Sequence, residues 1–251
     1  MYQKTVLITG VSRGIGRACA IAFAKEGYQI AGCCRTNTSL LEALRAELDT
    51  LRVPHLLLTG DVSDSGFVDR LFSETQKRFG HLDLLINNAG ISKIGLLELM
   101  SDADWNRIVS VNLSSVFYCC RSAIPLFLKN RDIVAPNEAC GRILNVSSIW
   151  GCSGASCEAA YSATKGGMNA ITEALAKELA PSRIPVNALA CGVIDTDMNR
   201  CFSDEERAAL EEEIPAGRFA TPEETAHALF LLSQMPSYLT GPIIRFDGGL
   251  L

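Results

Sequence analysis

The chain is short of the features that mark metalloproteins, disulfide scaffolds, nucleic-acid binders and membrane proteins. It holds three histidines in 251 residues, and none stands where it would complete a zinc set with cysteines. No two cysteines show C-x-x-C spacing, so neither a zinc ribbon nor a thiol redox motif is expected. There is no basic tract and the net charge is −5, which argues against nucleic acid or anionic membrane as a partner. The apolar runs read as far too short to span a bilayer. The opening "MYQKTVLITG" enters a strand at once and leaves no room for a signal peptide. Repeats, low-complexity tracts and linkers are absent as well, so one domain over residues 1–251 is the simplest division.

Cysteine itself is plentiful: ten residues, among them pairs at 33–34 and 119–120, then Cys140, Cys152, Cys157, Cys191 and Cys201. A chain this long needs no disulfides, so reduced thiols in a cytoplasmic protein are expected. Cys191 is the thiol to watch for oxidation. With 48% hydrophobic and 20% charged residues, the composition is that of an ordinary soluble globule.

Strand and helix patterns alternate along the whole chain. Strands are expected at 5–10, 28–34, 53–62, 82–90, 142–148, 185–192 and 242–249. Helices are expected at 14–27, 39–50, 64–80, about 104–128, about 158–179 and 222–234. The loop 130–140, with Pro136, reads as an exposed excursion. Such alternation demands an α/β fold, a doubly wound seven-stranded parallel sheet with helices on both faces. The acid-rich segment 195–219 breaks the rhythm and is a candidate lid. Chemistry in such a fold sits outside the C-terminal strand ends, which here read "TGVSRGIG", "GDV", "NNAG", "VSS" and "CGVIDT".

"TGVSRGIG" joins the first strand to the first helix. Gly10 permits the sharp turn, Gly14 the close approach of a pyrophosphate, and Gly16 tight helix packing; Ser12 adds a hydroxyl and Ile15 lies between. The helix N-terminus turns free N–H groups toward phosphate. The spacing is not G-x-G-x-x-G, and no phosphate-loop "GK[ST]" occurs, so a kinase or ATPase is disfavoured. After the second strand comes "GCCRTN", with Arg35 where NAD sites place a carboxylate. Arg13 is a second cation, and both favour a 2′-phosphate, hence NADP(H), with NAD(H) left open. Asp61, with Val62, stands to accept from an adenine amino group or to cap the next turn.

"YSATK" sets Tyr161 and Lys165 on one helix face. Ser148 closes the fifth strand, and Asn112 stands inside a predicted helix, where asparagine is a poor choice. Taken in order with "TGVSRGIG", "GDV", "NNAG", "VNLSS", "NVSS" and "CGVIDTDM", these pieces resemble the short-chain dehydrogenase/reductase family over essentially the whole chain. The resemblance implies a catalytic set of Asn112, Ser148, Tyr161 and Lys165. It implies cofactor contacts at Tyr161, Lys165, Ile194 and Thr196, with Lys165 bonding the nicotinamide ribose hydroxyls, and a supporting turn at Asn88, Ala89 and Gly90. Tyr161 would exchange a proton with a carbonyl, Ser148 would donate to its oxygen, and Asn112 would hold a water behind Lys165. A nearby ammonium is expected to lower the phenol's pKa from roughly 10. Small neighbours Ser162, Ala163 and Gly166 either leave room around the pair or serve close helix packing.

Two departures from the family stand out: Cys191 replaces a usual proline, and Pro185 falls on the sixth strand. The branch most resembled is the 3-oxoacyl-[acyl-carrier-protein] reductases, with other sugar, polyol or small-alcohol dehydrogenases as the alternative. A non-catalytic NADP(H)-binding module is a further class, and methyl or glycosyl transfer is disfavoured by the serine–tyrosine–lysine set. Lys129, Arg131, Arg142 and Arg183 are candidate cations for docking an acidic carrier protein. The resemblance also implies a homotetramer, to which an apolar tail "YLTGPIIRF" would contribute.

Overall fold

Strand β1 (Thr5–Thr9) is buried along its whole length, as a strand covered on both faces must be. It belongs to a computed structural model that describes residues 3–36, 39–135, 137–199 and 202–251. Pro136 and Cys201, singled out above, lie outside the described residues. The other strands are β2 (Gln29–Cys34), β3 (His55–Thr59), β4 (Leu84–Asn87), β5 (Arg142–Ser148), β6 (Val186–Cys191) and β7 (Ile243–Phe246). All pair in parallel, in the order β3-β2-β1-β4-β5-β6-β7. The order reverses between β1 and β4, which opens a crevice at their C-terminal ends.

Alternation along β1 divides the core. Val6 and Ile8 join residues of α1 (Gly14–Lys25), α2 (Ser39–Thr50) and α9 (Pro222–Gln234). Leu7 joins the opposite layer, built from α3 (Ser65–Phe79), α5 (Ser115–Lys129) and α7 (Ala159–Leu179). Caps set several helix starts: Asp64 accepts from Gly66 N–H, Ser101 from Asp104 N–H, and Thr221 from Glu224 N–H. Ser101 opens α4 (Asp102–Val109).

The expected helix at 104–128 is in fact α4 and α5 joined by a π-helical turn, Ser110–Ser114. Asn112 sits inside that turn, fully buried. Its side chain bonds the loop after β4 rather than its own helix, which accounts for the local widening. The continuous run Asp102–Asp132 is also long and apolar enough to cross a membrane, contrary to the sequence estimate. Here it packs through Val116, Cys119, Ala123 and Phe127 into the core beside α3. A short helix, α6 (Trp150–Ser153), was not foreseen. Its Gly151 packs so close to α7 that a Cβ there would meet the Lys165 carbonyl carbon at 2.6 Å. Pro185 precedes β6 and leaves its carbonyl to accept from Ile143 N–H, so the missing N–H costs the ladder nothing.

Segment 195–219 is partly helical. A 3₁₀ turn, Asp197–Asn199, is followed by α8 (Asp204–Glu213), opened by a capping box of Ser203 and Glu206. Arg207 ties α8 down: it donates to both oxygens of Asp195 at 3.0 and 3.2 Å and lies 4.5 Å from the Phe219 ring centre.

Candidate active site

The crevice is a cleft of about 750 Å³ running along the C-terminal strand ends. Gly10, Ser12, Arg13, Gly14 and Ile15 line it at the β1 exit. Gly10 has φ +76° and Gly14 φ +55°, left-handed conformations that favour glycine. Gly16 lies behind the wall: a Cβ there would come within 2.1 Å of the Gly10 carbonyl oxygen. The start of α1 has neither a side-chain cap nor an acidic residue in its first turn, so its N–H groups face the cleft uncompensated. These features fit a dinucleotide pyrophosphate.

The "NNAG" turn is stapled to β1. Thr9 Oγ1 accepts from Asn88 N–H at 3.0 Å and Ala89 N–H at 2.9 Å, and Asn88 Nδ2 donates to the Thr9 carbonyl at 2.8 Å. Thr9 was not foreseen; only its place before Gly10 hinted at it. Gly90 brings two expected residues together, since a Cβ on it would lie 3.5 Å from Asn112 Oδ1 and 3.8 Å from Lys165 Nζ. Asn112 accepts from Ile91 N–H at 2.9 Å and donates to the Ile91 carbonyl at 2.8 Å and to Thr164 at 3.2 Å. Its side chain therefore braces the loop.

Helix α7 is fixed to the sheet by buried polar contacts. Asn145 Nδ2 donates to Thr172 at 2.8 Å, and Ser147 donates to Asn169 at 2.6 Å. This places Tyr161 and Lys165 over the end of β5, which Ser148 closes; Ser148 Oγ itself accepts from Trp150 N–H at 3.2 Å. Lys165 is 3% exposed and donates to the Val146 carbonyl at 2.7 Å. Its Nζ lies 5.6 Å from the Tyr161 ring centre. Burial pushes the Tyr161 phenol well above its ordinary range; the neighbouring Ser148 hydroxyl opposes this, and Cys191 and Glu158 add to it. Burial also lowers Lys165 to about 8. The expected depression of the phenol by the ammonium is thus not met. Lys165 is out of water with its ammonium engaged by a carbonyl, while Tyr161 is half-buried in the cleft wall.

At the other end, Arg35 and Arg13 line the cleft, and Arg13 also lies 3.5 Å from Asp197. Asp61 does cap the next turn: it accepts from Ser63 N–H at 2.9 Å and from Ser63 Oγ at 2.7 Å. Arg107, from α4, reaches it at 2.8 Å. Burial raises the Asp61 carboxyl, but the Ser63 and Arg107 bonds outweigh that and hold it below the usual range. Arg107 also lines the cleft and was not foreseen, because nothing in its sequence context links it to "GDV". Val62, Ile194 and Thr196 complete the expected lining, with Ile194 bridged to Ala220.

A family model described as enoyl-(acyl carrier protein) reductase matches residues 10–251. The chain is 37% identical over 248 residues to the 3-oxoacyl-[acyl-carrier-protein] reductase FabG of Staphylococcus aureus, covering 98% of each chain. It is 38% identical over 248 residues to that of Salmonella typhimurium, covering 98% of this chain and 97% of the relative. The FabG of Staphylococcus epidermidis is 36% identical over 249 residues, 99% of each chain.

The chain belongs to the short-chain dehydrogenase/reductase family. As a member it is a nicotinamide-dependent oxidoreductase that interconverts a carbonyl and an alcohol.

Three other expectations are corrected within this short-chain dehydrogenase/reductase. Cys191 lies in the core, and burial raises its thiol to about 12, opposed by Lys165, so a reactive thiolate is disfavoured there. Among the described cysteines all are free, and Cys152 is the exposed one. The small residues of "YSATKGG" do not clear space around the pair. Ser162 accepts from Ala155 N–H at 3.1 Å, Ala163 faces solvent, and a Cβ on Gly166 would stand 3.5 Å from the nearest atom, an ordinary contact. Lys129, Arg131, Arg142 and Arg183 lie toward the N-terminal strand ends, away from the cleft, because α5 runs back along the sheet before β5 begins. Arg183 is spent on the carbonyls of Arg131, Ala135 and Glu138.

Proposed function

We propose that the enzyme reduces a 3-oxoacyl thioester to its 3-hydroxy form with NADPH, using Ser148, Tyr161 and Lys165, in fatty-acid synthesis in the cytoplasm. The observation that carries this reading is that Tyr161 and Lys165 line the cleft together beside the end of β5, which Ser148 closes. Identity of 36–38% to reductases named for that substrate supports the choice of substrate. The cleft's mouth carries Ile94 and Met198, 55% and 47% exposed, which suits an acyl chain better than a polyol. Arg13 and Arg35 favour a 2′-phosphate at the far end. Gly10, Ser12 and Gly14 would hold the pyrophosphate; Asp61 and Val62 the adenine; Asn88, Ala89, Gly90, Ile194 and Thr196 the nicotinamide side.

NADPH, when bound, supplies the hydride. Ser148 donates to the substrate carbonyl oxygen as charge gathers there. Tyr161 gives that oxygen its proton; the same burial that raises the phenol keeps it protonated and ready to donate. Lys165, an ammonium at or below neutral pH, offsets the negative charge that the donation leaves. Asn112 braces the loop that shapes the wall beside Lys165. Segment 195–219 serves as the lid over the substrate, with Arg207 bracing it internally between Asp195 and Phe219. The exposed Phe117 on α5, Leu231 on α9 and Tyr238, 98% exposed, support assembly as a homotetramer.

Initial rates with NADPH and NADH, against an acetoacetyl thioester free and carrier-linked, a sugar panel and simple ketones, test the proposal. NADPH with the carrier-linked thioester is expected to be fastest, and Arg35→Asp to narrow or reverse the coenzyme preference. Dominant sugar oxidation, or equal rates with both coenzymes, would overturn it.

A further inference from the structure

The Asp61 carboxylate is gripped from outside its own loop. Its Oδ1 accepts from Ser63 N–H at 2.9 Å and from Ser63 Oγ at 2.7 Å, which fills both acceptor sites of that oxygen. Its Oδ2 pairs with Arg107 Nη2 at 2.8 Å. Arg107 Nη1 donates to Ser63 Oγ, also at 2.8 Å. The three side chains close a ring, with one planar guanidinium spanning the carboxylate and the hydroxyl. Among the described residues Oδ2 has that cation as its partner and no second donor, so one acceptor site on it is open. Asp61 and Arg107 both line the cleft, as does Val111, four residues beyond Arg107.

We propose that Arg107 is a positioning residue for the adenine end of the coenzyme: by fixing both oxygens of Asp61 through this ring, it keeps the open acceptor site available to an exocyclic amino group and so selects a 6-amino over a 6-oxo purine. The inference rests on the reading of Asp61 as the adenine contact. Ser63 alone holds one carboxylate oxygen and leaves the other free to swing. Arg107 comes from α4, a different element, and pins that second oxygen before any ligand arrives. An ionised carboxylate can accept from a purine amino group but has no proton to offer a purine carbonyl, and the two oxygens would repel each other. The ring therefore acts on which base is bound and how tightly, and not on the hydride step.

Fluorescence titration of the full-length enzyme with NADPH and with its hypoxanthine analogue, which carries a 6-oxo group, reads the selection without turnover. The wild type should bind NADPH more tightly by about tenfold. In Arg107→Met that ratio should narrow by roughly two- to tenfold, chiefly through weaker NADPH binding. Loss of a cation near a phosphate-rich ligand would weaken both coenzymes alike, so the ratio carries the test. Arg107→Lys, which keeps the charge without the fork, should fall between the two and keeps the test open if the methionine variant folds poorly. In steady-state assays the loss should appear in the KM for NADPH and not in kcat. An unchanged ratio in both Arg107 variants beside a narrowed one in Asp61→Asn, or a loss confined to kcat, would overturn the inference while leaving Asp61 its adenine contact. A wild type that binds both coenzymes equally, or a ratio unmoved by Asp61→Asn, would instead remove the reading beneath it.

Discussion

Replacing Lys165 by methionine should abolish turnover and, in the cofactor-free protein at neutral pH, make the fold more stable. Burial lowers Lys165 from 10.5 to about 8, so the folded protein holds that proton less tightly than the unfolded chain does. Between those values the unfolded state binds more protons, and stability therefore rises with pH across that window. Below pH 8 the folded state bears the whole penalty of a buried charge, about 3 kcal/mol at 1.36 kcal/mol per unit. Methionine of similar volume removes that penalty. It also strips the Val146 carbonyl of a 2.7 Å donor, which costs about 1 kcal/mol. The net gain at pH 7 is about 2 kcal/mol, or roughly 4–8 °C in melting temperature for a chain of this size. By pH 9.5 the lysine penalty has fallen to about half, and the gain should shrink to below about 1 kcal/mol. Urea denaturation of the two proteins without cofactor at pH 7, 8 and 9.5 measures this. A methionine variant less stable than the wild type at pH 7, or a difference that does not change with pH, would refute the reasoning.

Gly16→Ala should destabilise the protein by about 3 kcal/mol, because the new Cβ meets the Gly10 carbonyl oxygen at 2.1 Å and neither backbone can give. Gly27→Ala, at φ +81° with open space around it, should cost only about 1 kcal/mol; equal penalties by denaturation would contradict the packing argument. A water-soluble disulfide reagent should label Cys152 first and leave Cys191 unmodified until the protein unfolds, since one is exposed and the other is buried with its thiol raised to about 12. Labelling of Cys191 as fast as that of Cys152, read by peptide mass, would contradict that assignment.

What the sequence displayed most clearly was whatever repeats or punctuates. The boundaries of Ser39–Thr50, Arg142–Ser148 and Pro222–Gln234 coincide with their patterns, because Thr221 before a proline, or a run of buried apolar residues, is a local signal. The strand exits that form the cleft follow from the alternation alone. Long-range pairings were hidden. Arg107 reaches Asp61 across 46 positions, and nothing near either residue announces the other. The π-helical turn at Asn112 arises from bonds to Ile91, which only the tertiary fold supplies. The candidate docking cations fall on the far edge because parallel strands put the start and the end of β5 on opposite edges of the sheet, which no local pattern reveals. The balance between Tyr161 and Lys165 was hidden for a related reason: spacing on a helix reveals proximity, but burial decides which charge state survives.

The central claim is that Tyr161 passes a proton to the substrate oxygen while the cleft binds the coenzyme independently of it. Paired measurement of NADPH affinity and of carbonyl reduction in Tyr161→Phe tests this most directly. The account predicts an NADPH dissociation constant near that of the wild type and a rate lower by about 10²–10⁴-fold. A variant that reduces substrate at the wild-type rate would contradict it.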